Sequence, residues 1–349
     1  MVANATGCSS IWGGSAPATP YTINRNTGNG PTWANSLFED NAEYGFGMSL
    51  SVKNIRKSMT VRMEKLMGMD IADDFKANLQ GWMDHKDNYE ASKPFAEAIK
   101  DTLQDIDGFP EDVQKELKVL RRQQDYLIKK SMWILGGDGW AYDIGYGGLD
   151  HVLAQGQDVN VLVFDTEVYS NTGGQSSKST PIAAVAKFAA SGKRLNKKDL
   201  GMIATTYGDI YVAQVAMGAN MNHFLKVIQE AESYPGPSLI IAYAPCISHG
   251  IVTGLGTTQR QEKLAVEAGY WHLWRFDPRL ADEGKNPFQL DSKEPTADFK
   301  EFLLTERRFT ILKNTFPEEA DELFDAAAAA SRRRYLNYVR MTEMDYTKQ

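Results

Sequence analysis

Four short apolar runs, at residues 132–135, 159–164, 202–205 and 238–243, set the strongest limit on the fold. Each is bounded by turn residues and is too short for a core helix, so each reads as a buried strand. Helical spacing fills the intervals 140–155 and 209–232. Parallel strands need long crossover connections, so the alternation predicts an α/β fold: a mainly parallel sheet with helices on both faces. In such sheets ligands sit beyond the carboxyl ends of the strands, which is where chemistry should be sought.

The flanks of this pattern differ from it. Residues 51–130 read as helices, with Val113, Leu117, Leu120 and Leu127 on one face and charges between them. A further helix is expected over 318–340, around the run Ala326 to Ala330. The first forty residues are rich in Gly, Pro, Asn, Ser and Thr, which favours turns and extended loops. The expected division is a ligand-binding domain over 1–275 with a helical insertion at about 51–130, then a helical extension over 276–349.

Composition excludes several function classes. With 349 residues, 42% hydrophobic and 24% charged positions, the chain reads as a soluble globular protein and not as a disordered one. Its 45 Asp and Glu outnumber 38 Lys and Arg, which argues against a nucleic-acid surface; Arg332 to Arg334 read as a solvated helix face. No run approaches the ~18 apolar residues of a membrane helix, and no secretory leader follows Met1, so the expected location is cytoplasmic. Two cysteines, Cys8 and Cys246, cannot make a disulfide framework; by sequence alone each reads as a small buried hydrophobe. His85, His151, His223, His249 and His272 lack zinc-protease spacing, and no serine-hydrolase elbow occurs; His249 follows Cys246 closely.

The chemistry-bearing motif is Gly136-Gly137-Asp138-Gly139-Trp140, directly after the first strand and opening a helix. Glycines let the backbone approach a phosphate, and a helix start offers free N–H groups to an anion. A nicotinamide-binding turn is the competing reading, but Tyr142 stands where its third glycine should be. Asp138 would also repel a pyrophosphate unless a cation lay between them, so it makes sense as a divalent-metal ligand. Mg²⁺ takes few oxygens from protein and the rest from phosphate and water. A second protein donor is supplied by the end of the next strand, Asp165-Thr166-Glu167-Val168-Tyr169-Ser170-Asn171, where Thr166 stands 28 positions after Asp138.

These two segments resemble the thiamine-diphosphate motif. The wording GGDGWAYDIGYGGLDHVLA followed by DTEVYSNTGGQ is very similar to the pyruvate:ferredoxin (or flavodoxin) oxidoreductase family, with Asp165-Thr166 where many thiamine enzymes have Asn-Asn. The similarity extends from ANATGCSSIWGGSAPATPY to GYWHLWRFDPRL. It implies a thiamine-diphosphate-binding fold in which Asp138, the Thr166 hydroxyl and the Val168 carbonyl ligate Mg²⁺. It further implies that Gly137, Asp138, Gly139, Trp140, Thr166, Glu167, Val168, Tyr169, Ser170 and Asn171 line the diphosphate. Asn171 would reach towards the reacting carbon. Apart from the resemblance, Trp12 and Trp140 are candidates to wall a cofactor pocket, although aromatic residues in such numbers more often belong to a core. Cys8 and Cys246 match two of the four thiolates of a 4Fe-4S cluster, whose other pair lies upstream in that family.

The resemblance implies oxidative decarboxylation of pyruvate to acetyl-CoA and CO₂, with coenzyme A as acceptor and electrons leaving through iron–sulfur clusters to ferredoxin or flavodoxin. The half that grips the aminopyrimidine is not matched here. The expectation is therefore a C-terminal part of a longer polypeptide, or one component of a split complex, inactive alone and homodimeric when complete. Two alternatives stay open: a non-oxidative thiamine decarboxylase or synthase component, which would not need Cys8 and Cys246, and a non-catalytic remnant that binds partner domains.

Overall fold

In the computed structural model the described residues are 1–7, 9–11, 21–26 and 28–346. They form two units, one made of Met1–Gly45 with Met132–Gln349, the other of Phe46–Ser131. The first unit is built on a single sheet. Its strands are β1 (Val2–Ala5), β2 (Trp33–Ser36), β3 (Trp133–Gly137), β4 (Asn160–Asp165), β5 (Tyr211–Val215), β6 (Ser238–Tyr243), β7 (Trp274–Phe276) and β8 (Phe288–Leu290), in the spatial order β2-β1-β3-β4-β6-β5-β7-β8. The first six run parallel, and β7 and β8 close one edge antiparallel. The central strands are buried along nearly their whole length, β5 and β6 at every residue, as a sheet covered on both faces requires.

The mainly parallel α/β architecture thus agrees with the sequence reading, but one crossover was misplaced by it. Residues 202–205 are not a strand: they lie in the helix Leu200–Thr205, which starts where the Asp199 side chain accepts the Met202 N–H at 3.2 Å. The strand is Tyr211–Val215, within the stretch expected to be helical, and its helix begins at Met221 after the Asn220 cap. A four-residue apolar run carries no period that separates strand from helix, whereas the aromatic and β-branched residues at 211–215 carry a strand preference. The helix expected over 140–155 also divides, into a π-helical turn Gly139–Ile144 and the helix Tyr146–Leu153. The expected C-terminal helix is present as Pro317–Thr342.

The glycine- and asparagine-rich first forty residues hold two strands that composition concealed. All four residues of β1 are buried, and β1 pairs with both β2 and β3. Cys8 and Trp12 lie outside the described residues. The second unit contains the helices Asp73–His85, Tyr89–Gln104 and Glu111–Arg122 and most of Asn41–Met67. It has a core of its own around Met59, Met63, Leu79, Trp82, Ile99, Leu103, Leu117 and Leu120. The Trp82 indole N–H is satisfied by the Leu127 carbonyl at 2.7 Å. Among the described residues no helix is long and apolar enough to cross a membrane.

Candidate functional site

The carboxyl ends of β1, β3 and β4 converge on one pocket, lined by Thr6, Gly7, Phe38, the turn 137–140 and the segment 168–172. Parallel register aligns these ends: Gly137 at the end of β3 pairs with Phe164 of β4, so Asp138 and Asp165 each follow at the same level of the sheet. The glycines of the turn have separate tasks. A Cβ on Gly137 would meet nothing nearer than the Phe164 carbonyl at 3.9 Å and would fill open space at the pocket wall. A Cβ on Gly139 would collide with the Tyr169 ring, whose hydroxyl donates to the Gly139 carbonyl at 3.2 Å.

Three oxygens gather where the two loops meet. Thr166 Oγ1 lies 2.7 Å from Asp138 Oδ1 and 3.0 Å from the Val168 carbonyl, so one hydroxyl proton faces two acceptors. Ser177, which the motif reading did not include, donates to the other Asp138 oxygen at 2.6 Å. Asp138 is 1% exposed. Burial, reinforced by the negative charge of Asp165, pushes its carboxyl up to about 7. Lys197 acts on Asp138 only at a distance, and among the described residues no ion pair is made to it; a buried carboxylate so placed gains most from a metal ion. A carboxylate, a hydroxyl and a backbone carbonyl are the hard oxygen donors that Mg²⁺ takes from protein. The donor set therefore fits a small hard cation. Among the described residues no three His, Cys, Asp or Glu side chains form a metal cluster, so phosphate and water would have to complete the shell.

The structure brings most of the expected site residues to this pocket. Gly137, Asp138, Gly139, Trp140, Val168, Tyr169, Ser170 and Asn171 all line it, and Thr166 lies directly behind. Glu167 does not: its side chain turns away from the pocket into a buried ion cluster. Lys197 Nζ bridges Asp165 Oδ2 at 2.7 Å and Glu167 Oε1 at 2.8 Å. Arg308 reaches Glu167 Oε2 at 2.7 Å, and Tyr270 donates to the same oxygen. Burial opposes the charge on Glu167, but Lys197 and Arg308 outweigh it and hold the carboxyl down at about 2.

The loop after β6 carries Cys246, a free, partly exposed thiol. Its backbone N–H donates to His249 Nδ1 at 2.9 Å, and its sulfur accepts the His249 backbone N–H, so side chain and turn are mutually fixed. His249 is fully buried, with Nε2 3.8 Å from Glu167 Oε2. Two residues after Cys246, the Ser248 hydroxyl lies 3.4 Å from that of Ser170, which joins this loop to the pocket segment.

Comparison with known proteins identifies the domain that carries this pocket. Residues 121–242 match the family described as thiamine pyrophosphate enzyme, C-terminal TPP binding domain. The chain is 56% identical over 98% of its length to pyruvate:ferredoxin oxidoreductase of Moorella thermoacetica and 54% identical over 98% to pyruvate-flavodoxin oxidoreductase of Klebsiella pneumoniae. It covers 29% of the length of each of those relatives. It is also 49% identical, over its whole length, to 19% of the mitochondrial pyruvate dehydrogenase [NADP(+)] of Euglena gracilis. With a thiamine-diphosphate-binding domain at its centre and high identity along nearly all of its length, the chain belongs to the pyruvate:ferredoxin (flavodoxin) oxidoreductase family.

Proposed function

We propose that this chain supplies the Mg²⁺-diphosphate half of a thiamine-diphosphate site for oxidative decarboxylation of pyruvate. The observation that carries the reading is the meeting of Asp138 Oδ1, Thr166 Oγ1 and the Val168 carbonyl at the buried side of a pocket walled in part by Gly137 and Gly139. Those three atoms would hold Mg²⁺. The turn from Gly137 to Trp140 and the segment from Thr166 to Asn171, with Glu167 contributing backbone only, would hold the diphosphate. Asn171 stands at the open side of the pocket wall and would act as the catalytic polar group facing the substrate. Thiamine diphosphate supplies a carbon nucleophile and an electron sink. The protein's part is to fix the charged end, exclude water and orient the substrate.

Pyruvate, coenzyme A and ferredoxin or flavodoxin come into this reading through the names and identity of the relatives. Cys246, presented at the carboxyl end of β6 beside the pocket segment, would be one ligand of a 4Fe-4S cluster, and Cys8 a second. Such a cluster needs four thiolates, and the sequence has two cysteines, so the others must come from segments that the longer relatives carry. The same applies to the grip on the aminopyrimidine. The working enzyme is then a cytoplasmic homodimer in which this chain is one part, and the chain alone gives no turnover. Iron and acid-labile sulfide in the complete assembly separate this from a non-oxidative thiamine enzyme.

The test is calorimetric titration of thiamine diphosphate into the chain with Mg²⁺ and then with EDTA. Asp138→Ala should lose several kcal/mol, about a thousandfold in affinity, because the diphosphate is left uncompensated. Metal-independent binding, or equal binding by the variant, overturns the reading.

A further inference from the structure

Glu167 stands between two of the three donors proposed for Mg²⁺, yet its side chain belongs to a different environment. Its φ is 58°, a left-handed conformation that glycine favours and that a side chain keeps only where its surroundings over-determine it. Every polar atom of the residue is engaged. The N–H donates to Asp165 Oδ1 at 3.1 Å, and the carbonyl accepts from Thr180 Oγ1 at 2.6 Å. Oε1 faces Lys197; Oε2 faces Arg308 and Tyr270. Of these five anchors, Asp165 lies at the start of the turn and Thr180, Lys197, Tyr270 and Arg308 come from elsewhere in the chain, so the turn is tied to the fold from outside itself.

One donor at the pocket is the backbone carbonyl of Val168. No choice of side chain can aim a carbonyl; only the conformation of the turn can. We propose that Glu167 is a positioning residue, whose carboxylate, locked between Lys197 and Arg308, fixes the left-handed turn that directs Thr166 Oγ1 and the Val168 carbonyl to Mg²⁺. This rests on reading Asp138, Thr166 and Val168 as the metal donors. Partners behind a metal ligand hold its orientation, and their loss costs metal affinity without removing a ligand.

Metal preference distinguishes positioning from general stabilisation. Mg²⁺ demands near-ideal octahedral geometry, whereas Ca²⁺ accepts irregular shells, so a loosened turn should penalise Mg²⁺ more. The experiment uses the full chain and the variants Glu167→Gln, which keeps shape without charge, and Glu167→Gly, which keeps the left-handed conformation without an anchor. Lys197 retains Asp165 and Arg308 retains Glu306 in both. Hydrogen–deuterium exchange of the metal-free protein should speed up over residues 165–170 and stay unchanged in β6. Calorimetry should show Mg²⁺-supported affinity for thiamine diphosphate falling about ten- to hundredfold, with a smaller fall in Ca²⁺.

Unchanged exchange over 165–170 overturns the proposal, as does an unchanged preference for Mg²⁺ over Ca²⁺. If the wild type binds thiamine diphosphate with neither metal, the proposed function fails, while the exchange data still decide whether Glu167 holds the turn. Should the Glu167 variants not fold, Tyr270→Phe removes a single donor from Oε2 and should move both readouts in the same direction by less.

Discussion

Asp138 and Glu167 are both 1% exposed, and they sit just past the ends of the neighbouring strands β3 and β4. Their surroundings push them in opposite directions. Asp138 has two hydroxyl donors and lies near the negative charge of Asp165, and its carboxyl is pushed up to about 7. Glu167 lies against Lys197 and Arg308 and is held down at about 2. The fold therefore completes the charge of one carboxylate from its own side chains and leaves the other short of a cation. The difference marks which side of the strand ends is scaffold and which is site.

The largest effect expected on stability lies on the scaffold side. Arg308 is the buried cation shared by Glu167 and Glu306, at 2.7 Å from each. Arg308→Met should destabilise the chain by about 3–5 kcal/mol, because removing one partner leaves buried charge uncompensated. Urea denaturation measures it. A loss below about 1 kcal/mol would mean that water reaches the cluster, and the contrast between the two carboxylates would collapse.

How far this contrast could be read from sequence depends on the range over which each part is assembled. Asp138 and Thr166 were legible because a glycine turn after one apolar run and a polar end to the next place them side by side in any parallel sheet. The role of the Val168 carbonyl came only with the family resemblance, since a backbone donor leaves no mark in residue type. The Arg308 anchor was not legible at all: it stands 141 positions from Glu167. Nor was Ser177, 39 positions from its carboxylate. In the fold, β6 reads at its true bounds because Pro237 and Pro245 bracket a run that holds Leu239, Ile240, Ile241 and Tyr243, whereas β1 is hidden by its glycine- and serine-rich surroundings. The Leu200–Thr205 helix reads as a strand in sequence because a four-residue apolar run shows no period, and the Asp199 cap is its one helical signal.

A smaller effect of opposite sign is expected on the site side. In the metal-free chain Asp138→Asn should raise stability at pH 8 by about 1–2 kcal/mol, since it removes a buried charge that makes no ion pair among the described residues. The sign over pH follows from the raised carboxyl. Below about pH 4 Asp138 is protonated in both folded and unfolded chains, so variant and wild type should match. Between about 4 and 7 the unfolded chain ionises first, wild-type stability falls with rising pH, and the gap opens. Glu167 gives no such slope in that window, because its contribution is complete above about 4.5 and is lost only as pH falls towards 2. Equal melting of variant and wild type from pH 4 to 8 would show that another group already neutralises Asp138.

The smallest effect concerns how the site side is kept ready for a cation. Ser177 Oγ donates to Asp138 Oδ2 at 2.6 Å and accepts the Ser179 N–H at 3.1 Å, so Ser177→Ala leaves both without this partner. Its hydroxyl favours the ionised carboxylate, the form a metal needs. Loss of one hydrogen bond should therefore cost about 1 kcal/mol, and more at pH 8 than at pH 5, because a bond to a charged acceptor is stronger than one to a neutral acid. Denaturation at the two pH values measures this. An equal loss at both would show that Asp138 keeps one protonation state across the range. Mg²⁺ would then meet either a carboxylate already balanced by the fold or an acid that must first lose its proton, and the difference from Glu167 would be one of degree.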